Sequence, residues 1–141
     1  MYLISILEIL YILITYKIIY SEVKMNYFNE GNKLYNTQDY LRAIDCYKKS
    51  ATQKQNEACS YYNAGVCFIK LKQFDKAITM LKNALTIQNE SKYYFNLGYC
   101  YTMKNKLNKA LQFFNIAWAI SNDDTDCEKA INLILTKISK K

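Results

Sequence analysis

The chain has only three glycines, Gly31, Gly65 and Gly98, and they fall 34 and 33 residues apart. Each closes the same local phrase: Tyr27-Phe28-Asn29-Glu30-Gly31, Tyr61-Tyr62-Asn63-Ala64-Gly65 and Tyr94-Phe95-Asn96-Leu97-Gly98. Twelve residues after each glycine comes an alanine (Ala43, Ala77, Ala110), and sixteen after comes a large apolar residue (Tyr47, Leu81, Phe114). Self-similarity at a period near 34 marks a helical solenoid, in which each unit buries its apolar face on its neighbour.

Within a unit, apolar residues return at three and four residues, the period of a helix buried on one face. In the second unit these are Tyr61, Ala64, Gly65 and Phe68, then Phe74, Ala77, Ile78, Leu81, Ala84 and Leu85. Two helices per unit follow, A and B, with a turn near Leu71–Gln73. The glycine lies inside helix A, where it costs roughly 1 kcal/mol relative to alanine. Three such costs at one repeat position predict close approach of a neighbouring helix, with the helix B alanine as the matching small surface. Asp39 and Ser91 stand where a side chain can cap a helix start. Thr125-Asp126-Cys127-Glu128 has the form of a capping box. It predicts a last helix over about 125–139, with Cys127, Ala130, Ile131, Ile134 and Ile138 on the face that covers the open end of the stack.

These spacings resemble the tetratricopeptide repeat family, with three copies over residues 24 to about 122. The expected architecture is all-α: a helical-hairpin solenoid of six repeat helices and a C-terminal capping helix, preceded by a hydrophobic N-terminal helix. The expected units are 1–23 (hydrophobic segment), 24–57, 58–90 and 91–123 (repeats) and 124–139 (cap).

Composition excludes several functions. There is no histidine, which removes the commonest general base and every Ser-His or Cys-His nucleophile. No phosphate-binding glycine loop occurs. Cys46, Cys59, Cys67, Cys100 and Cys127 are odd in number and form no C-x-x-C pair, so reduced thiols in a cytoplasmic setting are expected, with no metal and no cofactor. Cys67 and Cys100 occupy equivalent repeat positions and read as packing residues. Asp123, Asp124 and Asp126 read as an acidic helix start. The net charge of +7 comes from the repeats, with Lys70, Lys72, Lys76, Lys104, Lys106 and Lys109 flanking the intra-repeat turns. Such a rim keeps a protein soluble, or faces an acidic partner or anionic lipid. No nucleic-acid module is recognisable, so nucleic acid is not an expected partner.

Residues 1–20 read MYLISILEILYILITYKIIY, and sixteen of the twenty are apolar or Tyr. Eleven Leu and Ile residues favour membrane insertion by about 3 to 7 kcal/mol, against roughly 2.5 kcal/mol or more for Glu8, while Lys17 can snorkel. Tyr2, Tyr16 and Tyr20 lie near the ends, as in an aromatic belt, and Lys17, Lys24 and Lys33 place the repeats in the cytoplasm. Three readings stay open: a membrane anchor, which leads; a helix packed on the first repeat as a cap; and a stretch ahead of a true start at Met25.

The family resemblance implies that helix A lines a concave groove for a protein or peptide partner. Two ladders fall there: Phe28, Tyr62 and Phe95 three residues before the glycines, and Asn29, Asn63 and Asn96 two before. Amides can pair with the backbone of an extended peptide, and the aromatics add apolar contact; the other reading is that this asparagine, common in the family, stabilises packing between adjacent helices. Asn32, Lys92 and Tyr99 complete the expected surface. A subset of the family clamps a C-terminal carboxylate with Lys, Asn and Arg. Asn32, Asn63 and Lys92 match that clamp, but Phe28 stands where it has Lys and Asn96 where it has Arg. With two of three cations gone, most charge-assisted bonding to a carboxylate is lost. The expected function is a non-enzymatic scaffold that docks an extended partner segment, membrane-tethered through residues 1–20. The alternative is a membrane-associated assembly factor or a self-associating homo-oligomer, with Leu133 and Leu135 off the main stripe of the last helix as its contact.

Overall fold

The computed structural model describes residues 5–22 and 25–140, which form eight α-helices and no strand. They are α1 (Ile6–Glu22), α2 (Tyr27–Asn36), α3 (Tyr40–Thr52), α4 (Glu57–Lys70), α5 (Phe74–Leu85), α6 (Ser91–Met103), α7 (Leu107–Ile120) and α8 (Thr125–Ser139). Helices α2–α3, α4–α5 and α6–α7 are antiparallel hairpins. They stack in chain order through α3 on α4 and α5 on α6, and α8 closes the stack on α7. Tyr2 and Lys24, used above for a membrane-spanning reading, lie outside the described residues.

None of the glycines has positive φ, so backbone freedom does not explain them. Space does. A Cβ on Gly31 would stand 2.7 Å from Cε1 of Tyr47, and one on Gly98 would stand 2.7 Å from Cδ1 of Phe114. At Gly65 the neighbour is Leu81, with Cγ 3.1 Å from the same point. The close approach expected from the sequence is present. The residue sixteen positions on supplies the nearest atoms at each glycine, and the expected alanine takes part only at Gly65, where the Ala77 carbonyl oxygen lies 3.4 Å from the same point. Ala43, Ala77 and Ala110 are fully buried in the same core as Tyr47, Leu81 and Phe114.

The turn inside each hairpin also repeats. Gln38, Lys72 and Asn105 adopt φ of 62°, 56° and 56° at equivalent positions. The next N–H reaches back to the preceding helix: Asp39 to the Leu34 carbonyl, Gln73 to Phe68 and Lys106 to Tyr101, each at 2.9 Å. This is the hydrogen-bond pattern of a Schellman cap, built without glycine.

Asp39 caps α3 as expected, accepting from Arg42 N–H at 3.3 Å. Two other caps differ from expectation. Ser91 is the first residue of α6, and its hydroxyl donates to the Ala117 carbonyl in α7 at 2.9 Å. At α8 the cap is Asp124, not Thr125; its carboxylate accepts from Asp126 and Cys127 N–H at 3.0 and 3.2 Å. A carboxylate satisfies two orphan donors at once and suits the positive end of the helix dipole.

The first inter-repeat junction differs from the second. Ser50 and Ser60 are completely buried; Ser60 donates to Ser50 Oγ at 3.0 Å, and Ser50 donates to the Gln55 carbonyl at 2.8 Å. Ala84 and Tyr93 occupy the corresponding positions one repeat later, and Tyr93 stacks on Tyr62 with ring centroids 5.0 Å apart. All five cysteines are unpaired, and Cys67, Cys100 and Cys127 are buried.

Helix α1 is a 17-residue helix, and no helix among the described residues is long and apolar enough to cross a membrane. It does not behave as a packed cap either. Its Ile, Leu and Tyr side chains stay exposed, from 46% at Ile9 to 78% at Ile6.

Burial pushes the Tyr47 and Tyr93 phenols and the Cys67 and Cys100 thiols each up to about 12. Their values in the unfolded chain are about 10 and 8.5. A folded-state pKa above the unfolded one gives stability that is complete below the unfolded value and is lost as pH rises through the folded one. The urea midpoint should therefore be flat to about pH 8 and fall steadily toward pH 12. Phenolate absorbance should show some tyrosines ionising only as helical circular dichroism is lost. Titration of every tyrosine near pH 10 with the helices intact would contradict this.

Candidate functional site

Two adjoining concavities run along the inner side of the stack, and both are lined by Tyr35 and Val66. The first, about 480 Å³, adds Asn32, Asn36, Tyr47, Tyr62 and Asn63. The second, about 450 Å³, adds Ile69, Lys70, Lys72, Phe74, Phe95, Asn96, Tyr99 and Met103. Helices α2, α4 and α6 supply most of both walls. One end is thus rich in amides and phenols, the other in apolar and aromatic side chains with two lysines.

The repeat geometry explains this lining. Positions one, four and five after the glycine recur: Asn32, Tyr35 and Asn36 in α2; Val66, Ile69 and Lys70 in α4; Tyr99 and Met103 in α6. The glycine faces the helix B of its own hairpin, so residues about a third of a turn away face the groove. Counting back from the glycines found only part of this surface. Of the residues singled out in the sequence, Asn32, Tyr62, Asn63, Phe95, Asn96 and Tyr99 line the concavities. Phe28, Asn29 and Lys92 do not. Phe28 is half-buried edge-on against Tyr47, with centroids 6.0 Å apart. Asn29 is exposed, and its N–H donates to the Asn26 cap. Lys92 lies over the Tyr62 and Tyr93 rings at 5.3 and 5.6 Å. Tyr35, Asn36, Tyr47, Val66, Ile69, Lys70, Lys72, Phe74 and Met103 were not assigned to the groove. Counting one, four and five forward from the glycines would have found all but Tyr47, Lys72 and Phe74.

The asparagines are not a free row of amides. Tyr47 OH donates to Asn32 Oδ1 at 2.7 Å, and Asn63 Nδ2 donates to the same oxygen at 3.4 Å, joining the first repeat to the second. Asn96 Nδ2 donates to Tyr62 OH at 3.3 Å and to the Lys92 carbonyl at 2.9 Å, joining the second repeat to the third. Asn63 and Asn96 spend their amide nitrogens on these bonds and keep their oxygens as acceptors, whereas the Asn32 oxygen already accepts two. Burial raises the Tyr62 pKa, so its hydroxyl stays a neutral donor and acceptor at physiological pH.

Lys104 pairs with Asp75 across the second and third repeats, and that hydrogen bond and charge hold the Asp75 carboxyl below its usual range. Lys70 and Lys72 have no ion-pair partner among the described residues, and no carboxylate lines either concavity. No group of His, Cys, Asp or Glu among the described residues is placed to hold a metal ion.

Comparison with known proteins agrees with this architecture. A family model described as anaphase-promoting complex, cyclosome, subunit 3 matches residues 24–84, and a tetratricopeptide repeat model matches 91–123. The chain belongs to the tetratricopeptide repeat family. Dynein axonemal assembly factor 4 of Rattus norvegicus is 37% identical over 59 residues, covering 42% of this chain and 14% of that protein. Protein unc-45 homolog B of Xenopus laevis is 33% identical over 61 residues, covering 41% of this chain and 7% of that protein. The matched part thus spans a seventh or less of either relative. Among solved structures, the first such domain of Spaghetti (RPAP3), bound to HSP90 peptide SRMEEVD, superposes with a TM-score of 0.76 at 20% identity, over 80% of this chain and 90% of that one. The second domain of human RPAP3, in complex with HSP70 peptide SGPTIEEVD, gives 0.73 at 22% identity, over 77% and 92%.

Proposed function

We propose that this chain is a non-enzymatic docking module whose groove holds an extended segment of a partner protein. The observation that carries this reading is the continuous pair of concavities, which sets acceptor amides beside exposed aromatic and thioether surface. Carboxamide oxygens suit the N–H groups of an extended backbone, and the aromatics suit its side chains. The peptide-bound RPAP3 domains, which share the fold, support it.

Residues that line the groove without supporting the core give the cleanest test. Asn36, Tyr99 and Met103 are exposed. In affinity capture with the full chain, Asn36→Ala, Tyr99→Ser and Met103→Ser together should weaken partner retention about tenfold or more. Helical circular dichroism should be unchanged. Substitutions on the outer helices, Lys82→Ala and Gln112→Ala, should have no effect. Loss of partner in the outer variants and not in the groove variants would contradict the reading.

A second reading rests on α1. A helix that is apolar on every side is normally surrounded by apolar material, and α1 exposes its apolar residues around its whole circumference. We infer that α1 seats in lipid and tethers cytoplasmic repeats to a membrane. Full-length protein should float with phosphatidylcholine–phosphatidylserine vesicles, and a Leu10→Glu, Ile14→Glu variant should stay at the bottom of the gradient. If both behave alike, the tether fails. A detergent-free oligomer that does not float would favour self-association through α1 or through the exposed Leu133 and Leu135.

A further inference from the structure

We propose that the occupant of the groove is an acidic internal segment carrying one bulky apolar side chain, and not a free C-terminus; this rests on the docking-module reading. The two ends of the groove differ in what they can recognise. The end between α2 and α4 offers amides and no cation. A terminal carboxylate placed there meets no charge-assisted partner, whereas a chain that continues through finds acceptors for its N–H groups. Lys92, the cation of the partial clamp match, lies instead over the Tyr62 and Tyr93 rings.

The other end is apolar and basic. Phe74, Phe95, Tyr99 and Met103 surround a space of about 450 Å³, and Tyr99 and Met103 are 39% and 49% exposed. A flexible thioether beside aromatic faces receives a large apolar side chain without demanding one shape. Lys70 and Lys72 border the same space, and neither has an ion-pair partner among the described residues. Lys104, a cation of the next repeat, is taken by Asp75. With two unpaired cations and no carboxylate in the lining, the favoured neighbours of the anchoring side chain are Asp and Glu.

The test selects for the occupant without presuming its sequence. The full-length chain is used to pan random segments of about twelve residues, long enough at roughly 3.3 Å per residue to run past both concavities. One library joins both ends to its carrier, and a second has free C-termini. The first should enrich segments with Asp or Glu close to a single Phe, Leu, Met or Trp. As acetylated and amidated peptides, these should bind about tenfold more weakly to a Lys70→Gln, Lys72→Gln variant and should weaken with salt. Enrichment only from the free-C-terminus library, enrichment of basic or wholly polar segments, no enrichment, or indifference to the lysine variant would each overturn the proposal. Asn36→Ala with Tyr99→Ser separates the two levels. Peptides that ignore the lysine variant but lose binding to this one sink the acidic specificity and keep the groove. Peptides that ignore both sink the groove as well.

Discussion

In each repeat one helix offers a bare Cα and its partner sets a large side chain on it. Tyr47 on Gly31 and Phe114 on Gly98 sit closer than a Cβ would allow, and Leu81 on Gly65 leaves only a tight fit for one. The helix propensity lost at three glycines is small beside the burial of three large side chains, each worth about 1.5–3 kcal/mol. Because the contact fixes how helix A turns toward helix B, it also fixes which residues of helix A turn away. Those residues form the groove.

The groove therefore inherits its order from the core. One turn of helix past each glycine the chain places Asn, Tyr, Val, Ile, Lys and Met on a common surface, and three repeats bring them side by side. Asn63 and Asn96 link adjacent repeats through Asn32 and Tyr62, so the same side chains hold the stack and shape its inner wall. Recognition by such a surface draws on residues that the fold cannot discard. The positions free to vary are the exposed ones, Asn36, Lys70, Lys72, Tyr99 and Met103, and these differ from repeat to repeat.

The period, the hairpins, the last helix and the place of the glycines were legible in the sequence, because each depends on spacing within about twenty residues. The partner of each glycine was harder to read. Alanine twelve residues on and a large residue sixteen on are both one face of helix B, and only the packing shows which one meets the bare Cα. The cap of α8 was misplaced by one residue because Asp124 and Thr125 are both good capping types. The Ser50–Ser60 junction left no trace in the repeat pattern, since Ala84 and Tyr93 stand in its place one repeat later. The asparagine ladder was visible as a row with recognition and helix packing both open; Asn63 and Asn96 spend their nitrogens on packing, and Asn29 lies off the groove. Helix α1 has no repeat to be compared with, and its character was read from hydropathy alone.

The claim on which the rest stands is that the glycines exist for the side chain above them. It is tested most directly by measuring Gly98→Ala twice by urea denaturation, in the natural chain and in a Phe114→Val background. With Phe114 present, the added methyl is overpacked against the ring and should destabilise by about 1–3 kcal/mol. With the ring gone, the same change should stabilise by roughly 1 kcal/mol, the helix propensity that the glycine gave up. A reversal of sign is the predicted result. The same sign and size in both backgrounds would show that the two positions are not coupled, and would contradict the account.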